Sequence, residues 1–336
     1  SNRKPNITPL KVAKKIISKY LKKNGLIIYE STVYPGLTEE ILVPIIQKNT
    51  KFKLNKDFFL GYSPERISPG DKRNLSEIVK VVSGSNKFAS KQVSNLYKTI
   101  IKAGVHTAPN IKTAEASKIL ENVQRDINIS LMNEASIIFN KLNINTFEVL
   151  KASKTKWNFL DFSPGLVGGH CISVDPYYMK YKAEKIGIQT QVISSGRKIN
   201  EKMVGVIFNR IIKYFKDKKR KIKSVGIMGL SYKENSSDTR NSQIFKIIKL
   251  FKNKKIKIQL LDPKVNKFKL KNPYRKYLVK KFKEKLDCLI ISTPHKEFLK
   301  LTENYFKKNL KKDSLVFDVK NRLKLNSNSS IKIASL

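Results

Sequence analysis

None of the 14 glycines is followed two positions later by another glycine, so no Gly-x-Gly-x-x-Gly turn exists anywhere in the chain. Cysteine is nearly absent too. Cys171 and Cys288 stand far apart with no Cys-x-x-Cys, which excludes a disulfide framework. With only three histidines there is no metal-ligand spacing, so no metal site is expected. Such cysteine usage suits a reducing cytoplasm. No apolar run approaches the ~18–20 residues that a membrane span needs. The opening Ser1-Asn2-Arg3-Lys4-Pro5 is polar and has no apolar h-region, so no secretory leader is expected. Acidic residues are scarce as well: 26 Asp+Glu face 69 Lys+Arg, for a formal charge of +43.

What remains is a chain of 336 residues, 40% hydrophobic, enough for real cores in two or three domains. The charge raises the question of nucleic acid. Only ten of the 69 basic residues are Arg, and the lysines run along the whole chain, often beside Ile and Asn as in Lys254-Lys255-Ile256-Lys257-Ile258. Nucleic-acid readers concentrate basic residues on one face and interleave aromatics. A compositional bias on solvated faces explains this pattern better. Neither a nucleic-acid nor a membrane partner is expected.

Short apolar runs alternate with helical stretches over the first hundred residues. An amphipathic pattern from Thr8 to Leu21 precedes the turn Asn24-Gly25 and the strand-like Leu26–Tyr29; Phe58–Tyr62 and Ile78–Val82 repeat the theme. This alternation predicts part of a parallel, doubly wound sheet. From Lys112 to about Leu142 there is no Gly or Pro, which predicts one helix of roughly 45 Å. Further helices are expected from about Pro176 and over Asn200–Lys216. The alternation then restarts, with strands at Ser224–Gly229, Ile256–Leu261, Cys288–Ile291 and Leu315–Phe317 and a helix over Ser242–Phe251. The fold class is α/β: α/β, long helices, α/β.

Four segments carry candidate chemistry. In Pro164–Pro176, three glycines within five residues let backbone approach a ligand, and Cys171 and Asp175 follow. A packed cysteine in a glycine turn is the ordinary alternative; the flanking Gly-Gly and Asp favour a working thiol. His170 either lowers the thiol pKa or only shapes the turn, and the turn is favoured. Glu115, Lys118, Asn122 and Arg125 fall on one helical stripe. A solvated Glu–Lys ladder would look the same, but Asn122 suits a ligand hydrogen bond, and Lys with Asn one turn apart suits an oxyanion. Glu30–Gly36 and Tyr62–Ile67 follow strands, where open α/β sheets place ligands; Ser31-Thr32 could equally be a helix cap. Finally, Gly229–Ser242 sets Lys233 and Arg240 ahead of a helix, a natural phosphate position.

In this order the segments STVYPGLTEE (31–40), GYSPERISPGDK (61–72), AEASKILENVQRDINISLMNE (114–134), TKWNFLDFSPGLVGGHCISVDPYY (155–178) and YKENSSDTRNS (232–242) resemble the UDP-glucose/GDP-mannose dehydrogenase family. The likeness is greatest to its UDP-N-acetylglucosamine/UDP-N-acetylgalactosamine 6-dehydrogenase branch of surface-polysaccharide synthesis, and it spans essentially the whole chain. The resemblance implies a partial Rossmann-like NAD domain over 1–109 that lacks its opening βαβ. It further implies a central long-helix dimerisation domain with the cysteine loop over 110–205, and a C-terminal Rossmann-like UDP-binding domain over 206–336. It implies NAD as cofactor, a UDP-sugar as substrate, a homodimer through the central helix, and four-electron oxidation of the sugar C6 hydroxyl to a carboxylate. By resemblance Cys171 is the nucleophile that carries a thiohemiacetal and then a thioester. Lys118 and Asn122 serve the acid/base and oxyanion roles, Glu65 the hydrolytic half, and Thr32 and Asp175 organise the reacting water and Lys118. Arg66, Ile67, Arg125, Gly168, Tyr232 and Lys233 match substrate contacts; Thr32 and Arg240 match the cofactor side.

Two departures stand out: Ser163 replaces a basic residue before Pro-Gly, and Ser173 replaces Gly after Cys-Ile. The other readings are a UDP-glucose or UDP-N-acetylmannosamine 6-dehydrogenase, or an inactive truncated remnant that still binds UDP-sugar. Because the glycine turn has no counterpart, this chain alone is expected to bind NAD poorly, and its opening segment is expected to be missing. The coding sequence upstream of Ser1 should therefore encode a strand, a Gly-x-Gly-x-x-Gly turn and a helix. Sequencing that finds an in-frame stop there would favour the remnant.

Overall fold

A computed structural model describes Pro5, residues 8–67, 73–325 and 329–336. Residues 68–72, the end of the GYSPERISPGDK segment, lie outside the described residues, as does most of Ser1–Pro5. The chain divides into two compact units: residues 1–124 with 174–193, and residues 125–173 with 194–336.

In the first unit, α1 (Thr8–Tyr20) leads to β1 (Gly25–Tyr29), α2 (Val43–Thr50), β2 (Phe58–Tyr62), β3 (Lys80–Gly84), α3 (Lys87–Lys98) and β4 (Val105–Thr107). The 31-residue α4 (Ile111–Lys141) then begins. Its first half belongs to the first unit and its second half to the second. The sheet order is β1-β2-β3-β4. β1 runs parallel to β2 and β3 parallel to β4, but β2 and β3 are antiparallel, Tyr62 facing Ser83. The expected all-parallel sheet is thus corrected. A parallel return needs a crossover, usually a helix. The described part of the β2–β3 connection holds only a single 3-10 turn, Leu75–Glu77. The core here gathers Phe58, Leu60, Tyr62, Leu37, Leu42, Ile46 and Ile111.

Next come α5 (Thr146–Ser153), α6 (Asp175–Lys185), α7 (Gln191–Asp217), β5 (Ser224–Met228), α8 (Ile244–Asn253), β6 (Lys257–Leu261), β7 (Leu286–Ile291), α9 (Glu303–Asn309), β8 (Leu310–Asp318) and β9 (Lys332–Ala334). α6 belongs to the first unit; the strands and α8 and α9 belong to the second. The second sheet is parallel throughout, in the order β6-β5-β7-β8-β9. Its central strands β5 and β7 are buried along their whole length, which is why they read as continuous apolar runs rather than alternating ones. Strand order reverses between β5 and β7, so the crevice at their carboxyl ends is the expected ligand position. The short strands β4 and β9 and the seven-residue α9 escaped the sequence reading, since three to seven residues carry little periodicity. Among the described residues, no helix is long and apolar enough to cross a membrane.

The largest core belongs to the second unit. Phe251 on α8 is fully buried there, with its ring 4.9 Å from that of Phe208 on α7. Phe251→Ala should cost about 3–5 kcal/mol, read as a lower urea midpoint with an unchanged slope.

Candidate functional site

The polar stripe on α4 is not a solvated face. Glu115 is fully buried and Lys118 and Asn122 nearly so. Buried polar groups need partners: Glu115 and Asn122 find theirs in hydrogen bonds, and the Lys118 charge acts on Asp175. Glu115 accepts from the backbone N–H groups of Gly36 (2.5 Å) and Thr38 (3.0 Å) and from the Thr38 hydroxyl (2.5 Å). Burial pushes its carboxyl up, and these donors pull it partly back. Glu115 thereby clamps the loop that follows β1. No helix starts at Ser31 or Thr32, since the next helical turn, a π-helix, begins at Thr38. The cap reading of Ser31-Thr32 therefore fails. Tyr62 instead donates its hydroxyl to the Ser31 carbonyl at 3.2 Å, which leaves Thr32 half-buried at the carboxyl end of β1.

About two helical turns beyond Glu115 on α4, the Asn122 amide donates to Asp175 Oδ2 at 2.6 Å. Asp175 is the first residue of α6, 3% exposed. Burial pushes its carboxyl up to about 6, although the Asn122 hydrogen bond and the Lys118 charge both pull it down. Lys118, Asn122 and Asp175 thus form one buried group: a cation, an amide and a carboxyl poised to take or release a proton near neutrality.

Glu65 follows β2. Its carboxylate accepts from the Ile67 N–H at 2.6 Å and lies 3.9 Å from the Lys80 ammonium. The Lys80 side chain is 3% exposed. It also sits 3.2 Å from Glu30 and 5.0 Å above the Tyr97 ring. The Tyr97 hydroxyl donates to Glu30 at 2.6 Å. Burial would raise Glu30, but Tyr97 and Lys80 hold it below the usual carboxylate value. Arg66 is engaged by Glu121 at 2.9 Å and by the Val79 carbonyl at 2.9 Å, and Ile67 is exposed.

In the second unit the cysteine loop is held from beneath. Asn133 on α4, fully buried, accepts from the Gly165 N–H (2.8 Å) and donates to the Gly165 carbonyl (3.0 Å). The same amide nitrogen donates to Asn200 at 2.8 Å; Asn200 and Arg197 on α7 in turn donate to Asp126, at 2.7 and 2.6 Å. Above this anchor, Gly168 and Gly169 lie against Tyr232. A Cβ at Gly168 would stand 3.0 Å from the Tyr232 Cβ, and one at Gly169 2.7 Å from its ring. Gly169 also has φ of +88°, so no other residue fits there without strain. Asn241 donates to the Gly169 carbonyl at 3.1 Å, and so does the Ser173 hydroxyl at 2.5 Å. Ser173 in place of Gly therefore closes the turn rather than disturbing it.

Cys171 is half-buried in this turn and not in a disulfide. Its charge acts on both Tyr232 and Arg240. Arg240 is bound to Asp238 through contacts of 2.5–3.0 Å, and its guanidinium holds the Asp238 carboxyl below the usual range. The His170 ring lies edge-on to Tyr232, with Nδ1 3.8 Å from Asp238. The positive backbone angle of this turn belongs to Gly169. Lys233 is half-buried beside Tyr232, while Arg125 is exposed on α4.

The sequence pattern did not single out Lys80, Tyr97, Asn133 or Asn200. Their partners are far away along the chain, and no spacing rule reaches them. Glu115 was visible as part of the stripe, but not its role as a clamp.

Between about pH 4 and pH 6 the folded chain keeps a proton on Asp175 that the unfolded chain has released. That group's contribution to stability is therefore whole below about pH 4 and is lost as pH rises through about 6. Relative to wild type, Asp175→Asn should gain about 3 kcal/mol between pH 4 and pH 7, measured by urea denaturation at each pH.

Profiles of the UDP-glucose/GDP-mannose dehydrogenase family match three stretches: the NAD binding domain at residues 1–101, the central domain at 112–202 and the UDP binding domain at 226–325. Protein CapL of Staphylococcus aureus is 44% identical over 322 residues, 94% of this chain and 76% of that protein. A UDP-N-acetyl-D-glucosamine 6-dehydrogenase of Pseudomonas aeruginosa is 43% identical over 325 residues, 95% of this chain and 76% of that protein. The solved UDP-D-ManNAc dehydrogenase of Pyrococcus horikoshii superposes with a TM-score of 0.87 at 26% identity, covering 100% of this chain and 78% of that one. Fold, buried polar helix, glycine-bedded cysteine and these matches together make the chain a member of the UDP-glucose/GDP-mannose dehydrogenase family, an NAD-dependent UDP-sugar dehydrogenase.

Proposed function

We propose that the chain oxidises the C6 hydroxyl of a UDP-N-acetylhexosamine to the carboxylate, through a covalent intermediate on Cys171, in surface-polysaccharide synthesis. The observation that carries this is the half-buried Cys171 on its Gly168-Gly169 turn, with Tyr232 and Arg240 within reach of its charge. Identity favours the N-acetylglucosamine reading. The relatives so named are 43% and 40% identical, against 31% for a UDP-N-acetyl-D-mannosamine dehydrogenase of Methanococcus vannielii.

NAD+, when bound, takes the hydride in each of two oxidations. The residues present fit its reacting end: Thr32 stands half-buried at the carboxyl end of β1, where parallel strands place ligands. On the same reading Arg240 serves the cofactor side. The pyrophosphate turn has no counterpart in the sequence.

The chain's own residues then divide the work. The thiolate of Cys171 adds to the C6 aldehyde, forming a C–S bond, and holds an intermediate that would otherwise diffuse away. Lys118 and Asn122 stabilise the oxyanion at the tetrahedral stages, and Asp175 holds Asn122 in place and takes up a proton. After the second oxidation Glu65 activates water, which attacks the thioester; the C–S bond breaks and the thiolate leaves. Arg66, Ile67, Arg125, Gly168, Tyr232 and Lys233 contact the UDP-sugar. The division into 1–109, 110–205 and 206–336 belongs to the same proposal. So does a homodimer through α4, on which Leu131 and Ile138 are exposed seven residues apart, on one face. A working thiol needs a reducing compartment, which favours the cytoplasm.

In the complete reading frame, UDP-N-acetylglucosamine should yield two NADH per sugar. Cys171→Ser should lower turnover by at least about a thousandfold. Mass spectrometry of the stalled wild-type enzyme should find the sugar on the Cys171 peptide. One NADH per sugar, or no adduct, would overturn the reading.

A further inference from the structure

The UDP-binding region contains a histidine that no step above uses. His295, fully buried, follows β7 by four residues. Its Nδ1 accepts from the Asn235 N–H at 2.9 Å. The ring proton is therefore on Nε2, which stands 3.2 Å from Asp262 and 3.4 Å from the Ser231 hydroxyl. A histidine, an aspartate and a serine in contact suggest a hydrolytic triad, but the protons are wrong for one. Nε2 already carries its hydrogen and cannot take one from Ser231, whose hydroxyl donates to the Lys233 carbonyl at 2.8 Å. All three side chains are also closed off from solvent.

What the cluster does is hold one turn from two sides. Asp262 Oδ2 accepts from the Leu230 N–H at 2.6 Å, and its Oδ1 accepts from the N–H groups of Lys264 and Val265. The Thr293 hydroxyl donates to the Ser231 carbonyl at 2.7 Å. At the far end of the turn Asn235, with φ of +58°, is fixed by His295 and by the Lys296 N–H, which donates to its side chain at 3.0 Å. Leu230–Asn235 is thus tied to the exits of β6 and β7, and it carries Tyr232 and Lys233 between the ties. Tyr232 is also the residue against which Gly168 and Gly169 lie.

We propose that buried His295, through the hydrogen bond its Nδ1 accepts from the Asn235 N–H, is a positioning device that sets the Leu230–Asn235 turn for recognition of the UDP moiety. This rests on the reading that Tyr232 and Lys233 contact the UDP-sugar. His295 touches no ligand and acts through the turn.

Two isosteric variants separate the bonds. His295→Asn keeps an acceptor where Nδ1 stands and loses the donor to Asp262; His295→Gln keeps the donor and loses the acceptor. Calorimetric titration of the full chain with UDP should show binding about tenfold weaker for His295→Gln and within about twofold of wild type for His295→Asn. Hydrogen exchange of the 230–236 peptide should quicken in His295→Gln alone. Equal UDP affinity in wild type and both variants overturns the proposal. So does an equal loss in both accompanied by equal loss of melting temperature, the mark of a merely structural histidine. Lys233→Ala tells the two failures apart. If it weakens UDP binding while His295→Gln does not, only the positioning role falls. If neither changes affinity, the reading of the turn as a UDP contact falls as well. Should neither histidine variant fold, nitrogen NMR of the wild-type imidazole decides: a proton on Nε2 supports the device, and one on Nδ1 overturns it.

Discussion

A polar side chain buried on a helix must be matched by a partner in the surrounding structure, because an unmatched one costs on the order of 1–3 kcal/mol. α4 buries a row of them. Glu115, Lys118 and Asn122 lie in its first half, and Asp126 and Asn133 in its second. Different segments supply the partners: the loop after β1 for Glu115, the start of α6 for Asn122, α7 for one oxygen of Asp126, and Gly165 at the root of the cysteine loop for Asn133. Within each unit, the loops that carry the chemistry are placed by what this one helix needs.

The same logic explains the electrostatics. The Lys118–Asn122–Asp175 group is removed from water, so burial raises the Asp175 carboxyl toward the range useful for proton transfer. Around Cys171 the arrangement is more open, and a guanidinium steadied by Asp238 supplies positive charge without closing off the thiol. One cluster is dry and proton-holding, the other more open.

The net charge of +43 plays no part in either cluster. Lys80 is buried and paired with Glu30, and Lys118 is buried where its charge acts on Asp175. The rest mainly cover solvated faces, where isolated surface charges contribute little. The excess describes composition rather than chemistry.

Sequence alone determined the α/β class, the extent of α4 within one residue at either end, and β5, β6 and β7 of the second sheet with part of β8, because long unbroken periodicity and buried apolar runs are local signals. It also marked Cys171, Lys118, Asn122 and Asp175, since glycine spacing and helical phase are readable along a chain. Tertiary structure decided what those marks could not. It turned β2 and β3 antiparallel, buried the α4 stripe that could have been a solvated ladder, and joined Asn122 to Asp175 across 53 residues. It set Lys80 beside Glu65 and Asn133 beneath Gly165. Hydrogen bonds between distant segments depend on which surfaces the whole fold brings together, and no local pattern encodes that.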